Sequence, residues 1–552
     1  MSNEIHQGIL NVRWFAGVGS GDETTKIQAA LDHPTADAVL FSANFGSTIY
    51  TVTGLTISRS KRIIIDRGVT VKLANLSNAS LFTISASDVT IEGEGTLDGN
   101  RANQTSGHGI TSNAVSNVKI EGLTLQEMEE SGIYLLNGSR LWVRECRVST
   151  TGGTGIFIRA TTVGSDMEDC RVVECTVDRS DSAANNEKCI AITRDSGVRN
   201  ITYPLVQGSR CKMHATPTGS NVVGIEIFAS DTLGGISYGR IAANAVEGTE
   251  IGISIASRSQ HCSIQDNVVY NAHGIGVEIA DALYCSIQGN TIDGNDSTDT
   301  GIVVDGTNVD AVGCAVVGNT VRRIAASGQG IYSVAGTPFL SITGNAVVLA
   351  TANSTGIRVN GSDDVRIVGN TLDGSTTAGV GITVQGSSRV DIGDNTVRRW
   401  ANFAIQAAAD AATITGLHVD ENNRLQGTNG NTQILEQNGG IYNEVGLPGR
   451  TVSPAQITGN QTAYHPGYEE FVRVSSNASW SIQGITRGVA GRRATYFNVG
   501  SNEVIFPDED LSATAADRID TGSGAAVSLL AGDCASFVYD ETSSRWRVIG
   551  TN

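Results

Sequence analysis

The sequence predicts an all-β chain wound as a parallel β-helix, and three observations carry that prediction. A Gly-Ile step returns at Gly109, Gly132, Gly155, Gly224, Gly252, Gly301, Gly330, Gly356 and Gly381, as Gly-Val at Gly276, and with Cys189 once in the glycine's place. Successive steps lie 23, 23, 34, 35, 28, 24, 25, 29, 26 and 25 residues apart. Such a period, followed each time by alternating β-branched residues, belongs to stacked coils and not to a sandwich or a doubly wound sheet. The second observation is an asparagine at a constant place in each coil, from Asn244 through Asn267, Asn290, Asn319, Asn345 and Asn370 to Asn395. An amide at one inward turn per coil can bond the backbone and the amides above and below, which keeps the buried bend free of unpaired polar atoms. Neighbouring strands are then parallel and about 4.8 Å apart. Third, 65 Gly against 8 Pro, with few aromatics, suits short strands joined by tight turns and excludes a helical or collagen-like chain.

The elements follow in order. Met1 to Leu10 is polar, without the apolar core of a secretory signal, and no apolar run reaches membrane-spanning length, so a soluble chain outside the standard export route is expected. Between Trp14 and Leu31 a helix carrying Ile27, Ala30 and Leu31 is expected, N-capped by Asp22 and stopped before Pro34. It would cover the open edge of the first coil. Ile63 to Ile65, Val69 to Leu73 and Gly95 to Asn100 make the first, irregular coils. The period fails after Arg424, and Pro448 and Pro454 punctuate the passage to short alternating strands over 460–552. The expected division is 1–60 as N-terminal segment and cap, 61–446 as the β-helix, and 447–552 as a small sandwich-like β-domain for oligomerisation or receptor binding.

The net charge of -18 disfavours phosphate-backbone binding and anionic lipid, so neither nucleic acid nor membrane insertion is expected. The nine cysteines are odd in number; Cys146 and Cys175, and Cys262, Cys285 and Cys314, recur one coil apart where neighbours place Leu, Val or Asn. They read as reduced core residues of a chain folded in a reducing compartment. No cofactor or metal is expected; Asp293, Asp296 and Asp299 lack an EF-hand pattern.

Chemistry is sought on the face that alternation turns outward after each Gly-Ile step. That column reads Thr111, Tyr134, Phe157, Ala191, Glu226, Ser254, Glu278, Val303, Tyr332 and Arg358. Tyr134 and Phe157 form an aromatic strip suited to sugar rings or to a subunit interface, extended two positions on by Arg159 and Phe228. Glu226 and Glu278 are two coils apart, about 9.6 Å between backbones. Inverting glycoside hydrolysis uses two carboxyl groups roughly 6.5 to 9.5 Å apart, and Asp195 is a substitute for either member. A lyase would instead use cations, and Arg159, Arg179, Arg194, Lys188 and Lys212 gather in sequence near the two longest coils. Those coils insert Asp178 to Lys188 and Gly208 to Thr216, which bind a glycan or a neighbouring subunit.

The repeat and the asparagine series resemble the pectate-lyase-like superfamily over roughly residues 10–446, which implies a right-handed β-helix. Cys189-Ile190-Ala191-Ile192 and Gly107-His108-Gly109 resemble polygalacturonase motifs, but Glu187 and Lys188 stand where that family has twin aspartates, and the histidine precedes the strand. Those catalytic roles are not carried over, and His108 reads as a turn residue. The stretch from Ile482 through Asp533 to Val548 resembles C-terminal modules of bacteriophage tailspike and tail proteins. That resemblance implies a homotrimeric virion protein, assembled in the host cytoplasm beside other tail or baseplate proteins, that recognises and depolymerises bacterial surface polysaccharide. A free polysaccharide lyase or hydrolase and a non-enzymatic adhesin are the alternatives.

Overall fold

The computed structural model describes residues 8–14, 21–43, 48–179, 187–195, 197–213, 222–230, 235–375, 377–408, 414, 416–420, 422–427, 434–437, 444–445, 447–466, 469–486, 488 and 491–552. Two units divide the chain: Met1–Ser387 with Thr396–Asp410 and Leu425–Gln437, and Ser388–Asn395 with Ala411–Arg424 and Asn438–Asn552.

One coil of the first unit shows how the sequence winds. Ser263–Gln265 lies in a first sheet, Val268–Tyr270 in a second and Ile275–Ala280 in a third. The next coil repeats each strand in parallel register, pairing Ile264 with Ile287, Val269 with Ile292 and Val277 with Ile302. These β-branched side chains are fully buried and stack like on like, so every coil buries its inward face against two neighbours.

The corners explain the two sequence repeats. Between the second and third sheets the chain turns at the repeating glycine, and a Cβ added at Gly252 would stand 2.3 Å from the Gly276 carbonyl oxygen and 2.5 Å from Val269 Cγ1. Close backbone approach and the valine of the next coil leave no room for a side chain. Between the first and second sheets each asparagine amide donates to the next coil's amide oxygen, at 2.9 Å from Asn267 to Asn290 and 2.9 Å from Asn290 to Asn319. The same oxygen accepts the preceding asparagine's backbone N–H, and the amide also donates to a main-chain carbonyl, Ile241 for Asn267. The residue before each asparagine is left-handed, at φ 65° in Gly289 and 54° in Asp266, which accounts for the Gly-Asn pairs.

The expected helix is Thr24–Leu31, with Ile27, Ala30 and Leu31 buried. Glu23, and not Asp22, occupies the cap position, although Asp22 Oδ1 accepts the Thr24 N–H at 2.9 Å. Gln28 bonds both the carbonyl and the N–H of Thr56, at 2.8 and 2.9 Å, so a side chain stands in for a neighbouring strand along the edge Leu55–Ile57. The eight cysteines of the coils are buried free thiols, with burial pushing the Cys170 thiol up to about 12 and the Cys314 thiol up to about 11.

In the second unit two sheets share one core. Glu469–Val474, Arg493–Asn498, Cys534–Asp540 and Arg545–Thr551 form one sheet; Trp480–Ser481, Val504–Phe506 and Val527–Leu529 form the other. Tyr496, Phe506, Phe537 and Trp546 fill the space between them, and Trp546 Nε1 donates to the Ile485 carbonyl at 2.7 Å.

Candidate functional site

The third sheet places the expected outward residues in one column. Tyr134 pairs with Phe157, Phe157 with Ala191, Ala191 with Glu226, Glu226 with Ser254, Ser254 with Glu278, Glu278 with Val303, Val303 with Tyr332 and Tyr332 with Arg358. At about 4.8 Å per coil, Phe157 and Tyr332 stand about 29 Å apart with the two carboxylic acids between them.

Glu226 is only 6 % exposed and its Oε1 lies 3.5 Å from the Nζ of Lys188, itself buried at the start of the strand Lys188–Arg194. Half-buried Glu278 accepts a 2.9 Å hydrogen bond from Ser254, the residue between the two acids. Burial raises both carboxyls above their ordinary range, with opposing partners: the Lys188 ammonium pulls Glu226 back down, whereas Asp305, Glu226 and Asp281 push Glu278 further up after the Ser254 hydroxyl has lowered it. The two carboxyls thus differ in their neighbours, an ammonium beside Glu226 and a hydroxyl with further acidic groups around Glu278.

Aromatic rings bracket this pair. Tyr134 and Phe157 are half-buried and not a fully exposed strip, with ring centroids 5.3 Å apart, and His108 covers Tyr134 at 4.5 Å. The Ser131 N–H donates to His108 Nδ1 at 3.2 Å while Nε2 lies 3.4 Å from Glu130, and burial lowers the imidazole's affinity for a second proton. Arg159 lies over Phe157 at 5.6 Å. At the far end Arg358 lies over Tyr332 at 5.3 Å and donates to Gln385 at 2.9 Å. Both belong to the expected column, but neither was expected to bind; the matching two-coil offset beyond Glu278 is the signal that identifies them.

Several expected roles change. Asp195 does not stand in for either glutamate: it grips Arg159 through two bonds, Nε to Oδ1 at 2.9 Å and Nη2 to Oδ2 at 3.0 Å, and serves as that arginine's counter-ion. Arg179 is no glycan contact, because it is 1 % exposed at the end of a second-sheet strand and donates to the carbonyls of Thr151 and Lys188 and to Glu187. Phe228 does flank Glu226 on its own strand, in register with Thr193 and Ala256. The cation cluster is dispersed: Arg194 is buried on the carbonyls of Val198 and Arg199, and Lys212 pairs with Glu247 on the second sheet. Asp293 is held below the ordinary carboxylate range by Arg323, with Arg322 adding to it. Ser180 to Asn186, and His214 to Thr216, lie outside the described residues. Among the described residues no group of three or more His, Cys, Asp or Glu side chains is placed to hold a metal.

A feature absent from the sequence reading lies at the corner between the third and first sheets. Tyr203, Tyr238, His261 and Tyr284 stack at 5.3, 5.4 and 5.2 Å, with planes within 19° of parallel. All four take left-handed φ, at the position where other coils place Asn117, Arg140, Asp169, Gly313, Phe339 or Asp364, and the three tyrosines are more than half exposed.

Residues 46–232 match the family model described as a right handed beta helix region, and the solenoid is a right-handed parallel β-helix. Among solved structures, a tailspike protein of E. coli bacteriophage HK620 in complex with a pentasaccharide is 12% identical, covering 78% of this chain and 80% of that one at a TM-score of 0.48. The A-module of the Azotobacter vinelandii mannuronan C-5 epimerase AlgE4 is 15% identical over 78% of this chain and 98% of its own, at 0.42. ORF18 of Geobacillus virus E2 is 14% identical over 57% and 60%, at 0.35. No curated protein matches the chain.

Proposed function

We propose that the third-sheet face grips a polysaccharide and hydrolyses it with inversion, using Glu278 as general acid and Glu226 as general base. The observation that carries this reading is the pair itself: two recessed carboxylic acids in one column, two coils apart, with a buried ammonium beside one and negative neighbours around the other. The Glu278 proton goes to the glycosidic oxygen as the bond to the anomeric carbon breaks. Glu226 takes a proton from the water that attacks the opposite face of the same carbon. The two acids end with exchanged protonation and reset through solvent. Phe157 with Arg159 on one side and Tyr332 with Arg358 on the other offer sugar-stacking surfaces flanking the point of cleavage.

The setting that fits best is a bacteriophage tailspike or tail fibre, a homotrimer acting on capsule or O-antigen at the bacterial surface. The C-terminal resemblance and the buried free thiols support it.

The test is incubation with a panel of capsular and O-chain polysaccharides, following reducing ends, unsaturated-uronate absorbance and anomeric configuration by NMR. New reducing ends of inverted configuration, lost in Glu278→Gln, are expected. Appearance of the unsaturated chromophore would replace hydrolysis by elimination. Binding without cleavage across a panel containing the host's glycans would leave an adhesin.

A further inference from the structure

On the second sheet, in the coils that go on to carry Phe157, Ala191 and Glu226, lies a depression of about 490 Å³ lined by Arg147, Ser149, Thr176, Asp178, Arg210 and Lys212. The strands fix its layout. Arg147 pairs with Thr176 and Thr176 with Arg210, so two guanidinium groups flank a small residue from two coils apart. In the parallel row Ser149, Asp178 and Lys212 follow one another. Thr124 and Ala245 bound the arginine row on either side, which leaves both guanidinium groups without bulky neighbours in that row.

The charges here are treated differently from those further along the same sheet. Asp293 binds Arg322 and Arg323 at 3.0 and 2.6 Å, and Asp373 binds Arg398 and Arg399, so those arginines are neutralised by the preceding coil. Arg147 is exposed and its side chain has no hydrogen-bond or ion-pair partner among the described residues. Arg210 is 62 % exposed and makes only a long ion pair with one oxygen of Glu247, at 3.8 Å, while Lys212 holds the other oxygen at 2.9 Å. On a chain of net charge -18, two exposed guanidinium groups facing one concavity, one unpaired and one loosely paired, are a local reversal of sign.

We infer that this depression is a subsite for the carboxylate of an acidic sugar, with Arg147 and Arg210 as the forks that hold it. The volume lies within the range of small-molecule sites, and planar guanidinium groups match a carboxylate through paired N–H bonds. The lining also contains Asp178, Ser149 and Thr176. A bare inorganic anion gains nothing from Asp178 and is repelled by it, whereas sugar hydroxyls donate to it and exchange bonds with the two hydroxyl side chains. The mixed lining thus favours a polyhydroxylated anion. The inference rests on the polysaccharide reading above and names a charge class for the glycan, but it concerns binding and not cleavage.

The experiment is calorimetric titration of the intact chain with oligomers of galacturonate, glucuronate and mannuronate, with maltotetraose and inorganic phosphate as controls, at low and at raised salt. At least one uronate series is expected to bind, more weakly as salt rises, with maltotetraose inert and phosphate far weaker. Loss of one charge-assisted pair corresponds to about a tenfold fall in affinity, expected for Arg147→Ala and for Arg210→Ala. Both sites are exposed, and unchanged thermal midpoints would confirm that the variants fold; Arg62→Ala on the first sheet should change nothing. Failure of all three uronates to bind, or binding that survives the double variant, overturns the subsite. Phosphate binding as tight as the uronates reduces it to a general anion patch and overturns the sugar assignment. A protein that binds uronates but cuts no glycan refutes the hydrolase and leaves this subsite standing; one that cuts glycans and ignores uronates does the reverse.

Discussion

From Asn244 to Asn370 the inward residue ahead of the second sheet is an asparagine in every coil, while the coils before it place Leu123, Cys146, Cys175 and Ser209 at that position. The later coils close their turn with a chain of amide bonds; the earlier ones fill it with apolar or thiol side chains. Ser209 makes the join, its oxygen accepting the Cys175 N–H at 3.2 Å while its own N–H donates to Asn244 at 2.8 Å. The same earlier coils carry the long insertions, Phe157, Arg159, Glu226 and the exposed arginines Arg147 and Arg210. The two longest coils, of 34 and 35 residues, lie where the turn is closed by packing, and the coils of the amide ladder span 24 to 29 residues. The acidic pair straddles the change, Glu226 following Ser209 and Glu278 following Asn267.

The largest effect expected on that comparison is catalytic. Glu278→Gln and Glu226→Gln should each lower cleavage by about 10² to 10⁴-fold, the usual share of a general acid or base, while leaving the amide ladder and its hydrogen exchange intact. Retained activity in both variants would remove the site from the junction of the two regions.

Next comes the ladder. Asn319→Ala takes away the acceptor of the Asn290 backbone N–H, leaving that buried donor unpaired, and leaves the Asn290 amide only the carbonyls of Ile264 and Gln288, at about 1 to 3 kcal/mol in local stability. Cys175→Ala in the other region removes a small apolar group and should cost about 1 kcal/mol. Native-state hydrogen exchange coil by coil reads the contrast, and equal losses would mean that the two closures are energetically alike.

Smaller is the steric test. Gly252→Ala meets a carbonyl and a valine methyl and should destabilise by about 1 to 3 kcal/mol. Gly344→Ala, at φ 66° with nothing within 4 Å, should cost about 1 kcal/mol from left-handed strain alone. A thermal midpoint lower for the second variant than for the first would reverse the assignment of the corner glycine.

The smallest effect is the pH dependence of stability. Glu278 has its folded pKa raised by burial, so the folded state binds this proton more tightly than the unfolded chain. Its contribution is fully present below the ordinary glutamate value and is lost as pH rises through the raised one. Glu278→Gln should therefore be more stable than the parent at neutral pH, with the gap closing on acidification. A gap that widens in acid would mean that Glu278 is stabilised as a carboxylate.

Much of this was legible in the chain because strand alternation and coil period are both local. The Gly-Ile step assigned the third-sheet column residue by residue, from Thr111 to Arg358, and the asparagine series located the corner ladder. Arg179 is buried and Asp195 is bound to Arg159, which sequence spacing does not report because it carries neither the direction a strand's last residue turns nor the counter-ion one coil away. The aromatic stack is not legible in the sequence because its position is occupied by unlike residues from coil to coil, Asn117, Arg140, Asp169, Gly313, Phe339 and Asp364 among them.

The sequence by itself determined a parallel solenoid, its coil boundaries, its buried thiols and the two glutamates two coils apart, since periodicity and inward burial act on every coil alike. Tertiary structure alone decided that Lys188 approaches Glu226, that Asp195 is committed to Arg159, that Arg179 is buried and that Arg147 stays unpaired among the described residues while Arg210 keeps only a long contact with Glu247. Those outcomes depend on side chains meeting across coils 28 to 38 residues apart in the chain, where charge pairing and burial are set by the stacked neighbour and not by the local sequence.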